Sequence, residues 1–167
     1  HFGSTCKPDI LMGTLSKALG SEGGYACSSK VIIDYLKNKA RSFIFATSQA
    51  PAALAAALRA IEVLEKEPQR AQSLQHNVDF FLNALHAEGV EAYSPTAIIP
   101  VIIGDEATAL QVADELLANG VLAPAIRYPT VAKGTARLRI ALMATHTEAE
   151  LAQTAKLIGA AIRKYKK

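Results

Sequence analysis

The sequence is poor in cysteine, in long apolar runs and in net charge. Its two cysteines, Cys6 and Cys27, have no metal-ligand spacing and make no disulfide framework, which is typical of a reducing compartment. No apolar run approaches the roughly 18 to 20 residues that span a bilayer, and no signal peptide opens the chain, so we expect a cytoplasmic protein. The net charge of +3 is small, and the basic residues are dispersed except for Arg163, Lys164, Lys166 and Lys167 at the end of the chain. We expect that cluster to solvate the last helical turn and suit its dipole, and not to bind nucleic acid.

Half of the 167 residues are hydrophobic, and their spacing predicts an α/β protein. In the first part, we expect a short buried strand at residues 9–12 and further strands at 24–27 and 43–46, which form a parallel sheet. Helices are expected at 30–37 and from about 51 to Lys66. Glu67-Pro68 breaks the helical pattern. The sequence therefore predicts two domains, residues 1–67 and 68–167. Because the chain starts at His1, close to a strand, we expect it to be the C-terminal part of a longer protein.

Strand and helix patterns also alternate after Pro68, which predicts a small α/β domain. We expect one helix that ends at Gly89, a second at residues 106–119 and a third at the end of the chain, where Thr147 and Glu150 form a capping box. Strands are expected at residues 97–104, 121–126 and 136–143. Pro100 in the first of these strands predicts an edge or bulge position, because proline cannot donate a ladder hydrogen bond.

The first candidate site is the stretch from Gly13 to Gly20, Gly-Thr-Leu-Ser-Lys-Ala-Leu-Gly, which follows an apolar run. It presents the amine of Lys17 in a tight turn, between the hydroxyls of Thr14 and Ser16. A lysine whose pKa is lowered by burial or by cations can attack a carbonyl carbon and form a Schiff base. The alternative is an ordinary surface lysine.

Two further groups of residues could bind anions. Thr47 and Ser48 precede the alanine-rich helix, where hydroxyls and free backbone N–H groups favour a phosphate; the alternative is that one of them only caps that helix. Arg137 and Arg139 share the strand face opposite Leu138. If that face lines a cleft, one arginine can bind a carboxylate in bidentate fashion, and otherwise the face is solvated.

These motifs together resemble the α-oxoamine synthases, which are fold-type-I enzymes that use pyridoxal 5′-phosphate (PLP). The resemblance covers essentially the whole chain and follows the family's order: Thr-Leu-Ser-Lys-Ala-Leu-Gly at 14–20, Phe-Ala-Thr-Ser at 45–48, Ala-Ile-Arg at 125–127, Gly-Thr-Ala-Arg-Leu-Arg at 134–139 and Ala-Thr-His-Thr at 144–147. It implies that residues 1–67 are the C-terminal part of a large PLP-binding domain and residues 68–167 the small C-terminal domain.

The resemblance also implies roles for individual residues. Lys17 matches the lysine that holds PLP and moves the substrate's α-proton, and Thr14 matches a threonine that binds the cofactor phosphate. Thr47, with Ser48, matches a hydroxyl that reaches the cofactor of the neighbouring subunit, which implies a homodimer with its active site at the interface. Arg139 matches the receptor for the amino-acid carboxylate, and Arg127 matches a second arginine nearby. No metal site is implied.

The implied reaction belongs to the biotin-pathway branch of the family. L-alanine condenses with a pimeloyl thioester, on coenzyme A or on acyl carrier protein, with release of carbon dioxide and the thiol. The nearest alternative is 2-amino-3-ketobutyrate CoA ligase, which uses glycine and acetyl-CoA. That enzyme typically lacks an arginine at the position of Arg127. A noncatalytic dimerisation or scaffold fragment is an alternative of another class.

The sequence departs from the family pattern at three points. Tyr128 and Ala132 stand where proline is usual, which predicts a looser loop after Arg127 and leaves the acyl specificity open. The family's ring-stacking histidine and the aspartate that pairs with the ring nitrogen lie upstream of this segment. We therefore expect the 167-residue piece alone to be inactive, and detectable turnover by it would contradict this expectation.

Overall fold

The computed structural model describes residues 7–165, so Cys6, His1, Lys166 and Lys167 lie outside the described residues. The chain divides into two compact units, residues 1–67 and residues 68–167, and each is described by itself. The assignment of these units to a large PLP-binding domain and a small C-terminal domain stays a prediction.

The first unit is a β-hairpin followed by three helices. Strands β1 (Ile10–Thr14) and β2 (Gly24–Ser28) pair antiparallel. They precede helices α1 (Lys30–Lys39), α2 (Arg41–Ile44) and α3 (Pro51–Lys66). Helix α1 begins where Ser29 caps it, because the Ser29 hydroxyl accepts a hydrogen bond from the backbone N–H of Ile32.

Three predictions for this unit are wrong. The sheet is antiparallel, because β1 and β2 are joined by a loop at residues 15–23 and not by the longer crossover that parallel strands need. Strand β1 is exposed and not buried; Met12, for example, is 73% exposed. The strand predicted at 43–46 is helix α2 and a turn, closed by the bond from Ile44 N to Ala40 O (2.9 Å). Periodicity cannot separate strand from helix in so short an apolar run.

The second unit is a three-stranded sheet covered by helices. Its elements are α4 (Gln69–Ala87), β3 (Ile98–Gly104), α5 (Glu106–Ala118), β4 (Ala125–Ile126), β5 (Ala136–Ala141) and α6 (Glu148–Tyr165). The sheet order is β3-β5-β4 and both pairings are antiparallel. The observed elements confirm the predicted α/β class.

One face of this sheet forms the core of the second unit. Alternate residues of the strands point inward, and apolar side chains of all three helices cover them: Ile99, Val101, Leu138 and Ile140 from the strands, and Phe81, Leu85, Val112, Leu116 and Ile158 from the helices. Burial of each such side chain contributes about 1.5–3 kcal/mol. The opposite face of the sheet carries Arg137 and Arg139 of β5.

Several local predictions for this unit are confirmed. Strand β3 lies at one edge of the described sheet with Pro100 in it, and its register shifts between Ile102 and Gly104. Thr147 and Glu150 form the capping box of α6. The strand predicted at 121–126 is limited to β4, which begins directly after Pro124. Among the helices of residues 7–165, none is long and apolar enough to cross a membrane.

Candidate active site

Lys17 lies in the loop that joins β1 to β2. The base of this loop is closed by two backbone hydrogen bonds, from Leu15 N to Gly23 O and from Ser21 N to Leu15 O, both 2.9 Å. The Leu15 side chain is buried beneath them, at 7% exposure. The sequence therefore produces a loop that is fixed at its base and carries Lys17 further out.

A tight turn presents the lysine. Gly20 N donates to Lys17 O at 3.0 Å, and Gly20 has a positive φ of 60°, a conformation that glycine adopts without strain. The Lys17 side chain is exposed. The hydroxyls of Ser16 and Thr14 lie 3.4 Å apart at the mouth of the loop. The amine of Lys17 and the hydroxyls of Thr14 and Ser16 thus all belong to residues 14–17.

Two side-chain hydrogen bonds tie this loop to the segment that starts α3. Ser21 Oγ donates to Ala53 O at 2.6 Å, and Gln49 Nε2 donates to Glu22 O at 3.3 Å. A side chain at Gly23 would collide with Gln49, because an added Cβ would lie 1.4 Å from its Nε2. These contacts were not predicted from the sequence. The glycine pair at 23–24 is the one sequence feature that indicates a close backbone approach. The sequence does not identify the partners, because they are distant in the chain.

Thr47 and Ser48 lie just before Gln49 and are both exposed. Neither caps α3, contrary to the alternative considered from the sequence. The N-cap is Ala50, which makes no side-chain capping bond, and Pro51 occupies the first turn. Gln49 connects this hydroxyl segment to the Lys17 loop within the first unit. The roles predicted for Thr14, Lys17, Thr47 and Ser48 stay predictions.

The arginine face of the second unit has the predicted alternation. Leu138 is fully buried, while Arg137 is half-buried and Arg139 is exposed on the opposite face of β5. Arg139 lies opposite Pro100 in the ladder, and Arg137 has Ile102 and Ile126 on either side. The ladder neighbours of both arginines are therefore apolar residues. This is the charge distribution expected for a site that receives an anion attached to an apolar group.

A cavity of about 410 Å³ opens on this face. Its walls include both arginines and apolar or aromatic side chains from β3, β4 and the segment before β3, among them Tyr93, Pro100 and Ile126. A second cavity, of about 610 Å³, also includes Arg139, together with His146 and Glu150. Arg139 is the one of the predicted arginines that lines both cavities among the described residues.

Arg127 is exposed at the start of the loop between β4 and β5, which covers residues 127–135. Thr130 N donates to Arg127 O at 2.9 Å, and Thr135 Oγ1 donates to Ala132 O at 2.7 Å. Arg137 Nε donates to Thr135 O at 3.0 Å. These bonds hold a loop for which the sequence alone predicts loosening.

His146 lies in the turn between β5 and α6, where its contacts are structural. Its Nδ1 accepts a hydrogen bond from Met143 N at 3.3 Å. The buried amide of Asn77, on α4, donates to Met143 O at 3.0 Å and to His146 O at 2.9 Å. Asn77 therefore fixes the turn that follows the strand of Arg139. The sequence contains no local signal for this contact.

The shifted pKa values of the second unit belong to the ends of its helices. The backbone N–H of Thr108 lowers the pKa of Asp105 at the start of α5, and the backbone N–H of Thr147 lowers that of Glu150. At the other end of α6, the hydrogen bond between Lys164 and Glu115 lowers the carboxyl pKa and raises the amine pKa. Among residues 7–165, no group of three or more His, Cys, Asp or Glu side chains could hold a metal ion.

Comparison with known protein families gives one match over most of the chain. The family described as aminotransferase class I and II matches residues 1–158. Among curated proteins, the chain is 48% identical to 8-amino-7-oxononanoate synthase 1 of Bacillus subtilis (strain 168) over 159 residues. That alignment covers 95% of this chain and 41% of the relative, so the chain spans about two fifths of its length.

Solved structures give the same family likeness. An 8-amino-7-oxononanoate synthase from Francisella tularensis superimposes with a TM-score of 0.82 at 29% identity, over 93% of this chain and 46% of that one. A serine palmitoyltransferase from S. paucimobilis, solved with a bound PLP-myriocin aldimine, gives a TM-score of 0.86 at 28% identity. The match covers 94% of this chain and 40% of the palmitoyltransferase.

Proposed function

The chain belongs to the aminotransferase class I and II family, and we propose that it is part of an 8-amino-7-oxononanoate synthase, a PLP-dependent acyltransferase of biotin biosynthesis. The 48% identity to the Bacillus subtilis enzyme supports this choice within the family. The proposed reaction forms a carbon–carbon bond between Cα of L-alanine and the thioester carbonyl. The thiol and the alanine carboxylate, as carbon dioxide, are the leaving groups.

The described residues fit PLP chemically. The cofactor needs an amine for its aldehyde and polar groups for its phosphate. The loop at 15–23 carries the exposed Lys17 amine, and the exposed Thr14 at the end of β1 supplies a hydroxyl. Thr47 and Ser48 would supply further hydroxyls, across a subunit interface as the family likeness suggests. When bound, PLP withdraws electrons from the α-carbon of an amino acid. The Lys17 loop is the single observation that carries the proposal.

The chain's own residues would orient alanine and move its proton. Arg139 would bind the alanine carboxylate, since a guanidinium at the edge of an apolar cavity matches a planar anion. Arg127 would share this role from its loop. Lys17 Nζ would take the proton from Cα of alanine, and carbanion attack on the thioester would follow. The apolar walls around Arg139 would accommodate the acyl chain and restrict water.

The family likeness also supports a homodimer with the active site at the subunit interface. The cytoplasmic location expected from the sequence stays a prediction.

The proposal is tested with the full-length protein that contains this chain. Purified protein loaded with PLP is incubated with a pimeloyl thioester and L-alanine, glycine or L-serine, and both the released thiol and the condensation product are measured. We expect product and equimolar thiol with alanine. Preference for glycine with acetyl-CoA would indicate 2-amino-3-ketobutyrate CoA ligase activity instead, and no turnover with any pair would support a noncatalytic role.

A further inference from the structure

The loop at residues 127–135 belongs to a stretch of the chain without acidic residues. Between Glu115 and Glu148 the sequence contains no aspartate or glutamate, but it contains four lysine or arginine residues: Arg127, Lys133, Arg137 and Arg139. Arg137 and Arg139 are on the outer face of β5, and the other two cations are on the loop. We call residues 127–135 the cationic loop.

Lys133 is held in a defined place on this loop. Its Nζ lies 5.2 Å from the centroid of the Tyr128 ring, within the range of a cation–π interaction. Tyr128 is itself 53% exposed, so the pair lies at the surface. The hydrogen bonds of Thr130 and Thr135 hold the backbone on either side. The ammonium is therefore presented to solvent from an ordered loop.

No carboxylate neutralises this ammonium among the described residues, since Lys133 makes no ion pair there. Gly104 lies close to Gly134 of the cationic loop, and the residue that follows Gly104 is an acid, Asp105. Its carboxylate is already used, because it accepts hydrogen bonds from the N–H of Thr108 (2.7 Å) and the Thr108 hydroxyl (2.8 Å). The cationic loop thus has charge available for an external anion.

The loop lies at the far end of the arginine face from the proposed alanine site. With about 3.3 Å per strand residue, Thr135 is about 13 Å along the chain from Arg139. The 410 Å³ cavity runs from Tyr93 and Ile98, beside the end of β5, past Arg139 to Arg137 and Ile126; Ile126 directly precedes the loop, and the loop itself lies beyond the cavity wall. A thioester whose carbonyl is near Arg139 could extend its carrier in this direction. Coenzyme A and acyl carrier protein both attach their thiol through a pantetheine arm that ends in phosphate.

We propose that the cationic loop, through Lys133 stacked on Tyr128, binds phosphate of the carrier that delivers the acyl group. This inference rests on the proposed function and identifies the part of the protein that recognises the carrier. Lys133 is a binding residue for the carrier and takes no part in proton transfer. The attraction is electrostatic at an exposed site and therefore weakens as salt increases.

The test is steady-state kinetics of the full-length protein with three substrates: pimeloyl-CoA, pimeloyl-acyl carrier protein and the pimeloyl thioester of N-acetylcysteamine, which has no phosphate. We expect Lys133→Ala to raise KM for a phosphate-bearing substrate about two- to fivefold. Lys133→Glu should raise it more, and Lys133→Arg should leave it near the original value. The kcat, the KM for alanine and the KM for the N-acetylcysteamine thioester should stay unchanged.

The controls separate this inference from the proposed function. Lys156→Ala removes an exposed lysine of α6, away from the cationic loop, and should leave all three KM values unchanged. A rise in KM for only one of the two carriers supports the site and identifies the source of its phosphate. Equal effects on the phosphate-free thioester, or no effect of Lys133→Glu in an active enzyme, overturn the inference alone. Absence of condensation by the unaltered protein overturns both proposals.

Discussion

Gly13 lies directly opposite Tyr25 in the β1–β2 ladder, and the tyrosine ring occupies the space beside the glycine. A Cβ added at Gly13 would lie 2.5 Å from both Cζ and the hydroxyl oxygen of Tyr25. Because Gly13 is only four positions before Lys17, this contact shapes the strand that leads to the candidate catalytic lysine. The absence of a side chain at Gly13 thus lets an aromatic ring cover the backbone there.

We predict that Gly13→Ala lowers the free energy of unfolding by about 1 kcal/mol, at the low end of overpacking costs. The cost is low because Tyr25 is half-exposed and its ring can swing toward solvent. Urea denaturation measures the change. In the background of Tyr25→Ala the same substitution should cost nothing, since the obstruction is gone. An equal loss in both backgrounds would show that the ring contact is not the cause.

Removal of the Asn77 side chain should destabilise the second unit. Asn77→Ala leaves the carbonyls of Met143 and His146 without their side-chain donor in a buried place, which costs about 1–3 kcal/mol. Asn77→Asp has the same shape but offers no amide donor, so it should cost at least as much. Shifts of the urea midpoint measure both effects. An aspartate variant as stable as the original protein would contradict this account of the turn.

Glu150 gives a pH-dependent prediction. The N–H of Thr147, followed by its hydroxyl, lowers the pKa of the Glu150 carboxyl from its ordinary value of 4.5, so folding favours the carboxylate. Its stabilisation is fully present above that ordinary value and is lost as the pH falls through the lowered pKa. Thermal unfolding of the original protein and of Glu150→Gln, followed from neutral pH to about pH 3, measures the loss.

The difference in Tm between these two proteins at neutral pH should shrink as the solution is acidified. Glutamine keeps the capping geometry but does not titrate, so it is the matched control for the charge. Asp105 and Glu115 have pKa values shifted in the same direction, and they titrate in both proteins. A difference that stays constant down to about pH 3 would contradict the role of the carboxylate.

The proposed carboxylate site predicts a change in alanine binding. Arg139→Gln should raise KM for L-alanine about 10- to 150-fold, because a charged hydrogen-bonding partner is lost. Arg137→Gln is the matched control, since Arg137 lies on the same face and its Nε is bonded to Thr135 O. Steady-state kinetics with a saturating thioester measure both variants. A larger rise of KM for L-alanine in Arg137→Gln would indicate that Arg137, and not Arg139, binds the alanine carboxylate.

Local features of the fold were predictable from the sequence because their causes are local. The capping box of Thr147 and Glu150, the edge position of Pro100 and the alternation of Arg137 with Leu138 follow from neighbouring residues. Strand direction was not predictable in this way, because pairing depends on distant segments. The apolar run at 43–46 was too short for its period to separate strand from helix.

The candidate site shows the same limit. The motif around Lys17 predicts an amine in a tight turn, and the turn is present, closed by Gly20. The bonds from Ser21 to Ala53 and from Gln49 to Glu22 join segments that are far apart in the chain, so no spacing rule indicates them. The start of α3 at Pro51 also depends on backbone conformation, which left Thr47 and Ser48 outside the helix.

We propose that Lys17 is the residue to which PLP is attached. The direct measurement is the absorbance spectrum of the full-length protein with PLP, before and after borohydride reduction, followed by peptide mapping of the labelled lysine. This role of Lys17 predicts a visible absorption band that disappears on reduction, a label on Lys17 alone, and neither band nor label in Lys17→Ala. The absence of a band, or a label spread over surface lysines such as Lys30 and Lys37, would contradict it.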